Sequence, residues 1–128
     1  MDILFLVSRI VFGGYLLMSG SNHFTHGEML AGYAASKGVP MAKLAVWVSG
    51  LLLILGGLGI LLGIYVEYAV LAIALFFIPV TFKIHNFWTQ QDPQAKMMDM
   101  IHFMKNMAIL AASLAYLFVP QPWTWTLL

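Results

Sequence analysis

Four long apolar runs separated by shorter polar stretches set the pattern of this chain: about 3–21, 41–63, 67–83 and 97–119. Each approaches the roughly 20 apolar residues that a helix needs to cross the hydrocarbon core of a bilayer. Apolar positions within the runs are continuous, not alternating, which excludes the tilted strands of a membrane β-barrel. The pattern predicts an all-α polytopic membrane protein, a left-handed antiparallel four-transmembrane-helix bundle that uses residues 1–128 as a single domain.

Polar and small residues inside the runs say how the helices should meet. At about 100° per residue, Arg9, Gly13, Leu16 and Gly20 share one stripe of the first span. Its glycines would let another helix approach closely. Arg9 is the single arginine and sits about two turns into the span, where a charge costs at least ~2.5 kcal/mol unless it is paired or snorkels to the interface. Glu67 and Asp2 are the candidate partners, and Arg9 with Glu67 is the candidate internal charge. The second span carries Gly50, Gly56, Gly57, Gly59 and Gly63, of which Gly59 and Gly63 form a G-x-x-x-G motif suited to tight packing inside the bundle or across a homodimer. Pro79 interrupts the third span, leaves the carbonyl of Leu75 without its helical donor and predicts a kink near Ile78. In the fourth, Asp99, His102, Asn106 and Ser113 fall on one side, which should face the bundle, and Met97, Met100, Met104 and Met107 on the other. The tail from Pro120 to Leu128 carries Trp123 and Trp125 and reads as an interfacial anchor.

The polar stretches converge. Four antiparallel spans put the segment from Asn22 to Pro40, a loop or short interfacial helix, on the same membrane face as the segment from Lys83 to Lys96. All four histidines, His23, His26, His85 and His102, therefore share that face with Asn22, Asn86, Asp99, Asn106 and five lysines, while Asp2, Arg9 and Glu67 belong to the other. By the positive-inside rule, the histidine-bearing loops are cytoplasmic and both termini lie outside.

Composition agrees and removes several chemistries. The chain is 62% apolar and 9% charged, far from the roughly 25% charged residues of soluble domains, and its mean hydropathy is +0.90. A net charge of +1 gives no case for nucleic acid. There is no cysteine, so the chain supplies no thiol redox couple, disulfide, thiolate zinc site or iron–sulfur ligand. The first apolar run begins at Ile3 without a basic n-region, which reads as a retained span and not a signal peptide.

Three readings of the histidine face stand side by side. Histidine, asparagine and lysine collect at the headgroup level of such bundles and bond to one another, to backbone and to lipid. Alternatively, His85, His102, Asn106 and Asp99, with His23 and Asn22, line a pocket for the polar head of a quinone or another amphiphile. A third reading makes His23, His26, His85 and His102 ligands of a metal ion or haem, although their spacing carries no dedicated signature. No nucleophile–base pair or cofactor motif points to independent catalysis.

The motifs carry a resemblance. Ser8-Arg9-Ile10, Phe12-Gly13-Gly14 and Ser19-Gly20 with an amide and a histidine after it resemble the first helix of the DoxX family of small four-helix membrane proteins. Gly38-Val39-Pro40, Ser49-Gly50, Gly56-Gly57, Leu62-Gly63, His85 and Lys105-Asn106 fall where that family has similar residues. The chain departs from it at Leu53, where many members carry glutamate, and at Ile64-Tyr65-Val66, where many have an arginine. The resemblance implies one of two roles. One is an auxiliary quinone- or lipid-binding subunit of a membrane redox assembly, as in DoxD-like subunits. The other is a non-catalytic assembly, chaperone or trafficking factor that meets membrane partners through the glycine face of the second span and the methionine face of the fourth.

Overall fold

The computed structural model describes Met1–Thr126, and every regular element among those residues is helical. Four long helices, α1 (Asp2–Thr25), α3 (Ala42–Leu62), α4 (Val66–Lys83) and α5 (Pro93–Ala115), form the bundle, and a short α2 (Gly27–Ser36) packs mainly on α3, with 3-10 turns at Phe87–Thr89 and Tyr116–Phe118. All four long helices, α4 and α5 with their following 3-10 turns, are long and apolar enough to cross a membrane. Their outer surfaces expose Leu4, Val11, Leu51, Leu55, Leu71 and Leu75, a pattern suited to lipid as solvent.

Local chemistry sets the helix ends. α1 continues four residues beyond the apolar run because its polar side chains bond back to the helix: His23 Nδ1 donates to the Ser19 carbonyl at 2.8 Å and Thr25 Oγ1 to Ser21 at 3.3 Å. α5 likewise begins ahead of its apolar run, at Pro93, whose missing N–H costs nothing in a first turn. Asp92 caps it, accepting from the Ala95 amide at 3.0 Å. α3 ends at Gly63, with φ +70, so the second glycine of the G-x-x-x-G motif makes the turn into α4, where a Cβ would stand 2.9 Å from Arg9 Nη2. α4 runs through Pro79 to Lys83 without a break.

Glycine sets the packing of α1 on α3. The stripe Arg9, Gly13, Leu16 and Gly20 is the buried face of α1. A methyl group on Gly13 would stand 2.8 Å from the Gly57 carbonyl oxygen, and one on Gly20 would stand 2.8 Å from that of Gly50. The two antiparallel helices thus touch backbone to backbone at two glycine pairs two turns apart. Gly56 and Gly59 face the other way, against Ala69 and Ile73 of α4. The glycine face offered by the sequence to a homodimer or partner is therefore filled from within the chain. Leu16, Leu53, Ile60 and Ile73 are fully buried between these helices, and Phe76, Phe77, Tyr116 and Trp123 complete the core. Leu53, the position of the family departure, is a core residue.

Arg9 is 1% exposed and neither snorkels nor pairs with Asp2 or Glu67. It donates instead to four backbone carbonyls: Nε to Ile60 at 3.2 Å, Nη2 to Leu61 at 2.8 Å and Trp125 at 3.1 Å, and Nη1 to Thr124 at 2.7 Å. Ile60 and Leu61 lie in the last turn of α3, where carbonyls lack helical donors and the dipole is negative, so a guanidinium fork answers both. Phe5 and Trp123 lie against it, with ring centroids 5.8 and 5.4 Å from the guanidinium carbon. Glu67 is exposed and is no internal charge. Trp123 is 5% exposed and seals Arg9, so only Trp125 of the two tail tryptophans remains outward as an anchor would. The last two residues of that tail, 127–128, lie outside the described residues.

Candidate functional site

At the opposite end of the bundle, the polar stripe of α5 is turned inward: Asp99, Asn106 and Ser113 are its buried residues. Asp99 is a hub. Its Oδ2 accepts from Lys37 Nζ at 3.0 Å and from Gln90 Nε2 at 2.8 Å, and its Oδ1 from His85 Nδ1 at 3.4 Å. Lys37 also donates to Asn86 Oδ1 at 3.2 Å. One carboxylate thereby ties the end of α2 and the connection after α4 to α5, with charge-assisted bonds that satisfy its buried oxygens.

His85 stacks on His102, with centroids 4.9 Å apart and planes 29° from parallel. The two rings have complementary tautomers in their neutral forms. A carboxylate only accepts, so Nδ1 of His85 carries the hydrogen. An ammonium only donates, so Nδ1 of His102, 3.4 Å from Lys105 Nζ, is an acceptor and Nε2 carries the hydrogen.

Behind this pair lies a cavity of about 440 Å³ between the ends of α1, α3, α4 and α5, roofed by α2. Its wall carries the polar side chains of Tyr33, Lys83, His85, His102, Lys105 and Asn106 and the apolar ones of Leu30, Val39, Val46, Phe76, Phe77 and Val80. The volume is in the range of small-molecule sites, and the apolar wall with a few convergent polar groups is the usual division of labour. His23 also lines it, packing edge-on against Phe76 with centroids 5.6 Å apart.

The candidate residues thus separate. His23, His85, His102 and Asn106 come together around the cavity. Asp99 does not line it and acts behind His85 as an anchor. Asn22 is exposed on α1 outside the cavity, and His26 is exposed and bonded to Thr25 Oγ1 at 3.0 Å. Arg9 and Glu67 lie at the far end of the molecule. Among the described residues, no three His, Cys, Asp or Glu side chains converge into a group that could hold a metal ion. Lys83, Lys105 and Tyr33 in the lining, and Gln90 and Lys37 behind it, are not singled out by the sequence. Only Lys105 carried a signal, as part of the Lys105-Asn106 pair of the resemblance.

The cavity's walls come mostly from the stretch whose motifs carry the resemblance. No curated protein and no solved structure matches the chain. The family described as DoxX matches over residues 4–86, more than half of the chain, from α1 into the connection that follows α4. With four helices able to cross a bilayer, this integral membrane protein belongs to the DoxX family.

Proposed function

We propose that the cavity receives the polar head of a quinone or another membrane amphiphile, and that the protein serves as an auxiliary quinone- or lipid-binding subunit of a membrane redox assembly. The observation that carries this reading is the make-up of the cavity wall, in which imidazole, amide and ammonium groups stand beside aromatic and aliphatic side chains. His102 Nε2–H and the Asn106 amide are donors suited to a carbonyl oxygen of the head. The redox part follows from the resemblance to DoxX-type subunits. With no cysteine in the chain, any electron transfer needs a bound cofactor. By the positive-inside rule, the mouth opens on the cytoplasmic side and both termini lie outside.

The test is quinone titration of purified protein in lipid nanodiscs. Saturable binding is expected, weakened on His102→Ala by ~1 kcal/mol or more, about fivefold in Kd. Absence of saturable binding removes the quinone reading. Sidedness is read by placing a single cysteine at Thr89, in an otherwise cysteine-free chain, and labelling it with an impermeant maleimide in intact cells; labelling from outside reverses the orientation.

One observation favours the assembly reading. α5 presents Met97, Met100 and Met104 outward, 62%, 41% and 63% exposed, an adaptable surface for a partner helix. Co-purifying membrane proteins lost on joint Met100→Ser and Met104→Ser substitution would support it, and unchanged co-purification would count against it.

A further inference from the structure

We infer that the head group this cavity selects is anionic, a carboxylate or phosphate on a single-chain amphiphile. The inference rests on the proposed reading of the cavity as an amphiphile site and adds the sign of the head's charge.

Two ammonium groups, both on exposed residues, belong to the lining, and among the described residues neither has a counter-ion. Lys105 lies about 18 Å along α5 from its first residue, inside the stretch able to span the bilayer. Helical side chains lean toward the N-terminus, and its ammonium meets Nδ1 of His102, which is not an anion, at 3.4 Å in an exposed contact. Lys83, at the last turn of α4, makes no hydrogen bond or ion pair among the described residues. Its Nζ lies over Gly38, where a Cβ would stand 3.6 Å away.

Carboxylates on this side of the molecule do not answer these charges. Asp99 is committed to Lys37, Gln90 and His85, and Asp92 caps α5. Glu28 is exposed on α2, and no acidic residue lines the cavity. A charge held within a membrane span is costly unless a partner or water meets it. The lining therefore presents two cations and no anion to a space that also holds neutral polar groups and an apolar wall, and an anionic head with its chain against Phe76, Phe77 and Val46 suits both parts. A neutral head leaves both ammonium groups without a counter-charge.

The experiment uses the full-length protein in phosphatidylcholine nanodiscs, with binding to empty nanodiscs subtracted. Oleate is compared with oleyl alcohol, lysophosphatidate with monooleoylglycerol, and decylubiquinone serves as a neutral quinone. Oleate, lysophosphatidate or both should bind tighter than the neutral counterpart by about tenfold or more, as expected for hydrogen bonds to a charged group, and the preferred pair tells carboxylate from phosphate. Lys105→Met should collapse that ratio and Lys105→Arg should keep it, which separates loss of charge from loss of fold. Equal affinity within both pairs, or a ratio that survives joint Lys83→Gln and Lys105→Met substitution, overturns the inference. Quinone binding without any charge preference overturns the inference alone. Failure of every amphiphile, quinone included, overturns it together with the proposed function.

Discussion

Lys37 donates to Asp99 across 3.0 Å, with side chains 13% and 7% exposed, and this ion pair fixes the short interfacial helix to the last span. Both partners are nearly out of solvent, so removing one strands the other. Asp99→Ala should destabilise the protein by about 3 kcal/mol. It should also raise hydrogen exchange in α2, which roofs the cavity; unchanged exchange there would show that α2 is held by its apolar contacts alone.

Arg9 answers four carbonyls from two segments, so its loss should act on both. Arg9→Met is expected to cost about 3 kcal/mol or more, because hydrogen bonds to a charged group are each worth more than neutral ones and the carbonyls are left unmet. Residues Trp123 to Trp125 should become sensitive to protease. Arg9→Lys should recover only part of the loss, since a point charge cannot fork between α3 and the tail. Full recovery by lysine would mean that charge, and not the planar fork, holds the clasp.

Gly13 and Gly14 are neighbours with opposite surroundings. A Cβ on Gly13 meets the Gly57 carbonyl oxygen at 2.8 Å, while one on Gly14 meets nothing within 4 Å. Gly13→Ala should push α1 from α3 and cost ~1–3 kcal/mol, as overpacking does. Gly14→Ala should be neutral or slightly stabilising through helix propensity. Denaturation in mild detergent compares the two, and equal losses would show that helix flexibility, not the close approach, matters at this seam.

Thr81 is fully buried in α4 and its hydroxyl has no hydrogen-bond partner. Thr81→Val keeps the branched shape and removes the unmet hydroxyl, so a gain of about 1 kcal/mol is expected in the same denaturation assay. A loss would place an ordered water at that hydroxyl.

The residues of α1 and α5 show where sequence sufficed. A span reads from apolar length, because in a bilayer the helix is the one way for a continuous apolar run to satisfy its own backbone. The stripe Arg9, Gly13, Leu16 and Gly20 and the stripe Asp99, Asn106 and Ser113 both point inward as their spacing foretold, since the helical period is local geometry. Gathering of the four histidines at one end follows from counting crossings.

Tertiary structure decided what each of those groups does. Arg9 took carbonyls in place of Asp2 or Glu67, because the α3 terminus brings unmet acceptors to its guanidinium, and no sequence separation reveals which helix end will be near. The G-x-x-x-G motif divided for a similar reason: Gly59 packs against Ala69, Gly63 makes a left-handed turn beneath Arg9, and Gly50 with Gly57 became the seam. Asp99 and His102 lie on the same polar stripe, yet one is a buried anchor and the other lines the cavity, as contacts with α2 and the connection after α4 dictate. Periodicity fixes the side of a helix on which a residue lies. The long-range partner that fills the space opposite decides whether it is an anchor, a seam or a wall of the pocket.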